Sequence, residues 1–439
     1  MTVLLRFLVG IAAALLLFAP ARLASQWTRP DSGVRVYLIT AGPGGNFFTW
    51  FGHTALIVAD ARRKADYWYD YGIIEGTMGA SADQRRGAIR ARVVRSASPR
   101  ARLHALETDD REVELQELLL APDQADSLVA LLEADVSAFG TAGYAYRHTG
   151  DNCTTRIRDV LDRATGGALR RAVAGDVAGT VRDEGYRRVA SRNMAMGLLG
   201  DVLTGRTIDQ RMTRWDALFL PAELARAATV ARLAREAPFA VTRFHVLSHT
   251  HVVPVQVPSH GWLLAAIGAM LAAAVLLFGV GTRHHSTRAR ELSRTMLGTS
   301  AALAALLLGL LGCGIVYGWT MTAFTLADAN ENILLANPLA LFTLPFAVAY
   351  ATGSQRARRP LVHGWTVLAA SAALALAAKA LPSFTQQNWR IIALVLPVII
   401  GLAAALRVAR PEARQTETAL RPESLREPAR AHEREGVHP

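Results

Sequence analysis

Hydrophobic and polar positions divide this chain into two unlike parts. From about 26 to 258, apolar residues come in short alternating or helical patterns between charged stretches, whereas from 259 to about 408 they run in long Ala-, Leu- and Val-rich blocks. In the first part "HTALIVA", opening at His53, has alternate residues that can face a core. "DYWYDYG" follows after the polar turn "DARRK". The pair predicts a β-hairpin in which Trp68 and Asp70 share one face and Tyr69 and Tyr71 the other. Further on, "DNCTTRIRDVLDRATGG" predicts a helix that Cys153 opens. Asp151 and Asn152 are N-cap residues, Ile157, Val160 and Leu161 lie on one face, Arg156, Arg158, Asp159 and Asp162 on the other, and Gly166 ends it. The second part predicts five membrane helices, over 262–280, 296–319, 338–350, 365–381 and 389–406. Those over 338–350 and 365–381 fall furthest short of the ~20 residues of a straight span.

The ends of the chain and the loop charges orient this arrangement. Arg6, an apolar run from Phe7 to Phe18 and the small residues Ala19 and Ala21 predict an export signal over 1–24, either cleaved or kept as an anchor. The loops "TRHHSTRARELSR" and "GSQRARRP" are Arg-rich, while "TLADANENILLAN" and "PSFTQQN" carry no Lys or Arg. Basic loops stay on the cytoplasmic side. The alternation therefore predicts an exported domain over 25–258, a five-helix membrane domain over 259–408 and a disordered cytoplasmic tail over 409–439.

Composition agrees with a partly membrane-embedded chain, since 51% of the 439 residues are hydrophobic. The formal charge of +12 comes from Arg spread along the sequence without basic-aromatic interleaving. It fits anionic lipid headgroups and topology signals, and no nucleic-acid partner is expected.

Only Cys153 and Cys313 are present, one in the exported part and one inside the second span, so they are not expected to pair. An unpaired thiol in an oxidising compartment is a liability, and Cys153 sits where helix-start N–H groups and the helix dipole favour thiolate. It is the candidate nucleophile. A thiolate doing acyl chemistry needs an imidazole in reach and a third group to hold that ring. His53 is the candidate base and Asp70, across the hairpin, the candidate orienting group. His148, five residues before Cys153, is a rival base in a turn. His245, His249, His251 and His260 lack acidic or cysteine partners at ligand spacing, so their segment reads as an interfacial linker and no metal or cofactor is expected. "GPGG" at 42–45 lacks the ending of a phosphate loop and reads as backbone passing close to the site.

These residues carry a resemblance. "VYLITAGPGGNFFTWFGHTALIV", "YWYDYG" and "YAYRHTGDNCTTRIRDVL" resemble the conserved blocks of the Lnb-type bacterial lipoprotein N-acyltransferases, as do "DALFLPAEL" and "NENILLANPLALF" further on. The order His then Cys also resembles permuted papain-like folds, the NlpC-type and lecithin:retinol acyltransferase-like group. The resemblance implies an α+β exported domain of that kind followed by an α-helical transmembrane bundle in the bacterial inner membrane, with the catalytic domain on the periplasmic side. It implies a thiol acyltransferase moving a fatty acyl chain from a phospholipid donor to the N-terminal amine of a diacylated lipoprotein acceptor. By position, Cys153 is then the nucleophile, His53 the base, Asp70 the orienting residue and Asn152 an oxyanion donor. Trp50, Phe51 and Tyr146 are the candidate substrate-binding residues, Phe47 and Phe48 lying beside the first two as an acyl entrance or as self-packing of their loop.

Two readings compete. The same Cys–His pair serves a hydrolase, either a cell-wall endopeptidase or a phospholipase, and a non-enzymatic membrane scaffold needs no pair at all. Asn330, Asn332, Asn337 and Asn388, at the outer membrane face, fit either headgroup binding or loop capping.

Overall fold

The computed structural model describes residues 27–28, 30, 33–74, 88–247 and 250–410. The export signal expected over 1–24, nearly all of the tail expected over 409–439, and His249 lie outside the described residues.

The first part is built on an antiparallel sheet of seven strands: β1 (Val34–Ala41), β2 (His53–Asp60), β3 (Ala65–Ile74), β4 (Ile89–Ser96), β5 (Val113–Leu118), β6 (Tyr144–Tyr146) and β9 (Ala240–Val246), ordered β6-β4-β3-β2-β1-β5-β9. Strands β7 (Asp176–Thr180) and β8 (Arg211–Thr213) form a separate ribbon. The β2–β3 hairpin turns at the polar stretch, where Asp60 Oδ1 accepts the Arg62 backbone N–H at 2.9 Å and Lys64 takes a positive φ of 49°. Both faces of the central strands are buried, so alternation sorts side chains between two cores rather than between core and water. Tyr37, Ile39, Ile57 and Trp68 pack with Trp27 and with Leu103 of helix α1 (Pro99–Thr108) on one face. On the other, Leu38, Leu56, Tyr69 and Tyr71 pack against helices α2 (Pro122–Phe139) and α3 (Cys153–Ala164). The start of the segment expected as a linker, Phe244 to Val246, belongs to edge strand β9, because it pairs with β5.

Among the described residues, five helices are long and apolar enough to cross a membrane: Gly261–Gly281, Thr287–Met321, Glu331–Ala351, Gln355–Ala380 and Trp389–Val408. The second begins inside the stretch expected as an Arg-rich loop. Arg, Glu and Leu are good helix formers, so the helix continues past the apolar residues into polar surroundings. The third is segmented into short helical turns around Pro338 before the regular helix Leu344–Ala351, as the missing proline N–H and the asparagine caps require. Small residues let the first and last spans touch backbone to backbone: a Cβ on Gly268 would lie 2.6 Å from the Leu394 carbonyl, and one on Gly279 at 2.6 Å from the Ala405 carbonyl.

A buried polar clamp joins the two parts around the short apolar helix Met194–Leu203. Asn332 Nδ2 donates to the Asp201 carbonyl at 2.9 Å, Asn330 Nδ2 to the Val202 carbonyl at 2.8 Å and Gln386 Nε2 to the Thr204 carbonyl at 2.9 Å. Asn388 braces Asn332 at 2.8 Å. Arg182, 2% exposed, binds Asp209 at 2.7 Å and Asp201 at 3.3 Å, and Arg390 of the last span reaches the other oxygen of Asp201 at 3.0 Å. Asn330, Asn332 and Asn388 are thus committed to holding the junction. Asn337 is a cap whose Oδ1 accepts the Leu339 N–H at 2.9 Å.

Candidate active site

Three pieces of chain converge at one end of the large sheet. His53 is the first residue of β2, Cys153 the first of α3, and Asp70 lies in β3. The helix is pinned to the strand by the hydroxyls of Thr54 and Thr154, 3.0 Å apart and both buried. Its close approach depends on Gly72, where the β3–β4 register shifts and φ is +79°. A Cβ there would stand 3.0 Å from Tyr146 Cε2 and 3.3 Å from Cys153 Cβ. Glycine supplies both the left-handed backbone and the room.

His53 Nε2 is 2.5 Å from Asp70 Oδ1, and the second oxygen of Asp70 accepts Trp68 Nε1–H at 3.2 Å. Trp68 and Asp70 do share a face, which is what makes this bond possible. With Nε2 engaged by the carboxylate, Nδ1 is the ring nitrogen left for the thiol, which His53 hydrogen-bonds. Burial, the largest influence, disfavours the charged ring. The Asp70 charge and then the Cys153 thiolate overcome it and push the His53 pKa up to about 10. Burial likewise opposes thiolate formation, but the His53 charge, its hydrogen bond, the Thr154 hydroxyl and the Thr54 backbone N–H hold the Cys153 pKa below its ordinary value. Against its own burial, Asp70 is held below the usual carboxylate range by His53. The favoured state is thiolate, imidazolium and carboxylate in a row. Cys153 is 7% exposed, while the His53 side chain keeps 24% of its surface open.

Asn152 does something other than what its sequence position suggested. Its Oδ1 accepts the N–H groups of Thr154 at 2.9 Å and Thr155 at 2.7 Å, and its Nδ2 donates to the carbonyls of His148 at 2.8 Å and Phe219 at 2.9 Å. Both amide hydrogens are used. It caps the helix and ties down the loop before it, which corrects the expectation of a free oxyanion donor. Asp151 is no second cap, since it pairs with Arg147 at 2.6 Å and Arg156 at 3.4 Å. Besides His53, Thr154 and Thr54, the group that reaches the sulfur is the Tyr146 hydroxyl, which also meets the Cys153 backbone N–H.

The aromatic candidates separate. Trp50 is buried and stacks edge-on with Phe47 at 5.3 Å, and Phe51 packs with Met212, Phe219 and Leu220. Phe47 and Phe48 are 49% and 70% exposed. Tyr146 adjoins the thiol. The "GPGG" loop closes on Asp109 and Thr49 rather than on Cys153: a Cβ on Gly44 would meet Asp109 Oδ2 at 2.5 Å and Thr49 Oγ1 at 2.6 Å. His245 pairs with Glu112 at 2.8 Å and His260 with the Tyr186 hydroxyl at 2.9 Å, while His251 faces Arg192 at 3.4 Å. His148 is exposed, its pKa is lowered by desolvation from the atoms around it, and it meets Tyr146 edge-on at 5.6 Å.

Sequence reasoning passed over four residues here. Thr54 and Thr154 carried no motif, although a Thr after each of the two catalytic candidates was visible in "HTA" and "CTT". Gly72 ended the aromatic block "YDYG" and could be read as a bulge. Arg111, 7% exposed, donates from Nε to the Gly42 carbonyl at 2.9 Å and adds positive charge near Asp70 and Cys153. Nothing local in the sequence marked it.

An acid-held imidazole beside a thiol at a helix start, on an α+β domain joined to five apolar spans, has the form of a membrane-bound protein built for thiol nucleophilic chemistry. Residues 24–183 match the family model of the Lnb N-terminal periplasmic domain, a range that includes His53, Asp70, Tyr146, Asn152 and Cys153. That part of the chain thus carries an Lnb-type N-terminal periplasmic domain, and with the five apolar spans that follow it the chain is a multi-pass membrane protein. No curated protein and no solved structure matches the chain.

Proposed function

We propose that this protein is a cysteine-dependent acyltransferase of the bacterial inner membrane that moves a fatty acyl chain from a glycerophospholipid, through a thioester on Cys153, to the N-terminal amine of a diacylated lipoprotein. The observation that carries the reading is the unbroken contact Asp70–His53–Cys153, with the thiol's pKa lowered and the imidazole's raised. The periplasmic permuted papain-like domain then spans 25–258 and the membrane domain 259–408.

The thiolate attacks the ester carbonyl, and the oxyanion that forms meets the Cys153 N–H and the Tyr146 hydroxyl. As the C–O bond breaks, the imidazolium of His53 gives its proton to the departing glycerol oxygen, leaving lysolipid, thioester and neutral imidazole. The lipoprotein amine next attacks the thioester. His53 takes the amine proton, the C–S bond breaks and the thiolate–imidazolium pair is restored. Asp70 stays ionised throughout and holds the ring so that Nδ1 faces the sulfur. No cofactor enters this scheme.

Water in place of the amine gives the hydrolase, and a scaffold needs no thiol. The test is mass spectrometry of a lipoprotein N-terminus in cells making the wild-type chain, C153A or H53A. Conversion of diacylated to triacylated lipoprotein by wild type alone supports the reading. Conversion by both variants at normal expression overturns it, and release of free fatty acid equal to lipid consumed identifies the hydrolase.

A further inference from the structure

Phe324 lies just beyond the span Thr287–Met321, in the part of the chain that forms the membrane domain. Its ring meets His148 edge-on at 5.9 Å, His148 meets Tyr146 edge-on at 5.6 Å, and Tyr146 faces Cys153. Three rings thus form a row from the mouth of the bundle to the sulfur. Burial alone lowers the His148 pKa and no carboxylate supports its charge, so at neutral pH its ring is an uncharged aromatic surface. At the end of that span the large apolar side chains Tyr317, Trp319 and Met321 are exposed to 53%, 44% and 63%. The loop bearing Phe324 is fixed against the upper domain, since Gly205 N–H donates to the Leu326 carbonyl at 2.8 Å and the Thr207 hydroxyl to the Thr325 carbonyl at 3.1 Å.

We propose that this row is the passage by which one acyl chain of an outer-leaflet lipid reaches Cys153, and that Phe324, a residue of the membrane domain, sets the chain-length preference of a site on the other domain. The inference rests on the reading of Cys153 as the acyl-accepting nucleophile. An ester carbonyl at Sγ must trail its tail along apolar surface, because every methylene left in water is unfavourable. The row starts at a residue three positions beyond Met321, the last of its span, and it ends at the sulfur. A short acyl group has no tail to accommodate and does not need Phe324.

Acylation of Cys153 in the purified full-length chain is read as mass gain from two probes: dipalmitoylphosphatidylethanolamine in vesicles and p-nitrophenyl butyrate in solution. F324A is expected to lower the ratio of palmitoylation to butyrylation rates about tenfold, one aromatic contact along the tail being lost. H148F is expected to keep the wild-type ratio, since the row stays aromatic. An unchanged ratio in F324A, or loss of both reactions in H148F, overturns the passage. Wild type and C153A run alongside: if neither probe acylates wild type, or both still acylate C153A, the thiol reading itself fails, whereas a wild-type mass gain absent from C153A with an unaltered F324A ratio leaves that reading standing and removes only the passage.

Discussion

Asp70 meets His53 at 2.5 Å through the ring nitrogen that faces away from the sulfur. The carboxylate therefore acts on the thiol only through the imidazole, by fixing its orientation and by supporting its charge. Asp70→Asn preserves shape and removes that support. Acyl transfer is expected to fall about a hundredfold or more in a single-turnover assay, a drop of the size seen when a buried orienting carboxylate is neutralised.

The same relationship sets the pH profile. Cys153 alkylation by iodoacetamide should appear as pH rises through a value below the ordinary thiol 9.0, whereas acylation by a lipid ester, which uses the His53 proton for the leaving oxygen, should fall again as that proton is lost near 10. Asp70→Asn, by removing the charge that raises His53, should bring the alkaline limb to lower pH. The sign for stability is parallel: a raised imidazole pKa contributes stability that is complete below the ordinary 6.5 and is lost as pH climbs toward about 10. An alkaline limb that does not move in Asp70→Asn would contradict the assignment.

Asn152 gives a test that separates capping from catalysis. Asn152→Ala should cost about 1 kcal/mol of helix capping and slow thiol alkylation, because the start of α3 loosens. Asn152→Ser retains a capping oxygen without an amide donor. It should recover most of both the alkylation rate and the acyl-transfer rate, and the second recovery is one that a direct oxyanion role for the amide would not allow.

Gly72→Ala places a methyl group between Tyr146 and Cys153 and forces an L residue to a φ of +79°. The backbone alone costs about 1–2 kcal/mol. Thermal unfolding should register that loss, and acyl transfer should fall further than stability does, because the thiol and the phenol are pushed apart.

Arg182→Ala leaves Asp201 and Asp209 buried, with Asp209 deprived of its 2.7 Å partner. Breaking one side of a buried ion pair costs about 3–5 kcal/mol. The unfolding midpoint in detergent should drop markedly, and limited proteolysis should open the chain near the helix Met194–Leu203. A midpoint within error of wild type would show the clamp to be dispensable.

The hairpin and the start of α3 were legible because their signals are local. Alternation from His53, the polar turn at 61–64 and a cap at Asn152 need no distant partner. The five spans were legible by length and composition, though a polar helical extension at Thr287 and a proline-broken third span shifted their limits. What stayed hidden depends on residues far apart in the chain. Arg182 and Arg390 meet at one aspartate across 189 positions between Arg390 and Asp201, and Asn152 spends its second amide hydrogen on Phe219, 67 residues on. Sequence can propose that an asparagine binds something polar, but only the fold says which carbonyl reaches it first.

The clamp that ties the asparagines of the bundle to the backbone at Asp201, Val202 and Thr204 has a consequence for traffic. On the acyltransferase reading, a cleft bolted to its anchor cannot swing out toward its two reactants, so both must drift to it sideways. Catalysis would then answer to bilayer fluidity, slowing when lipids are driven into the gel phase even though every residue of the cleft remains in position.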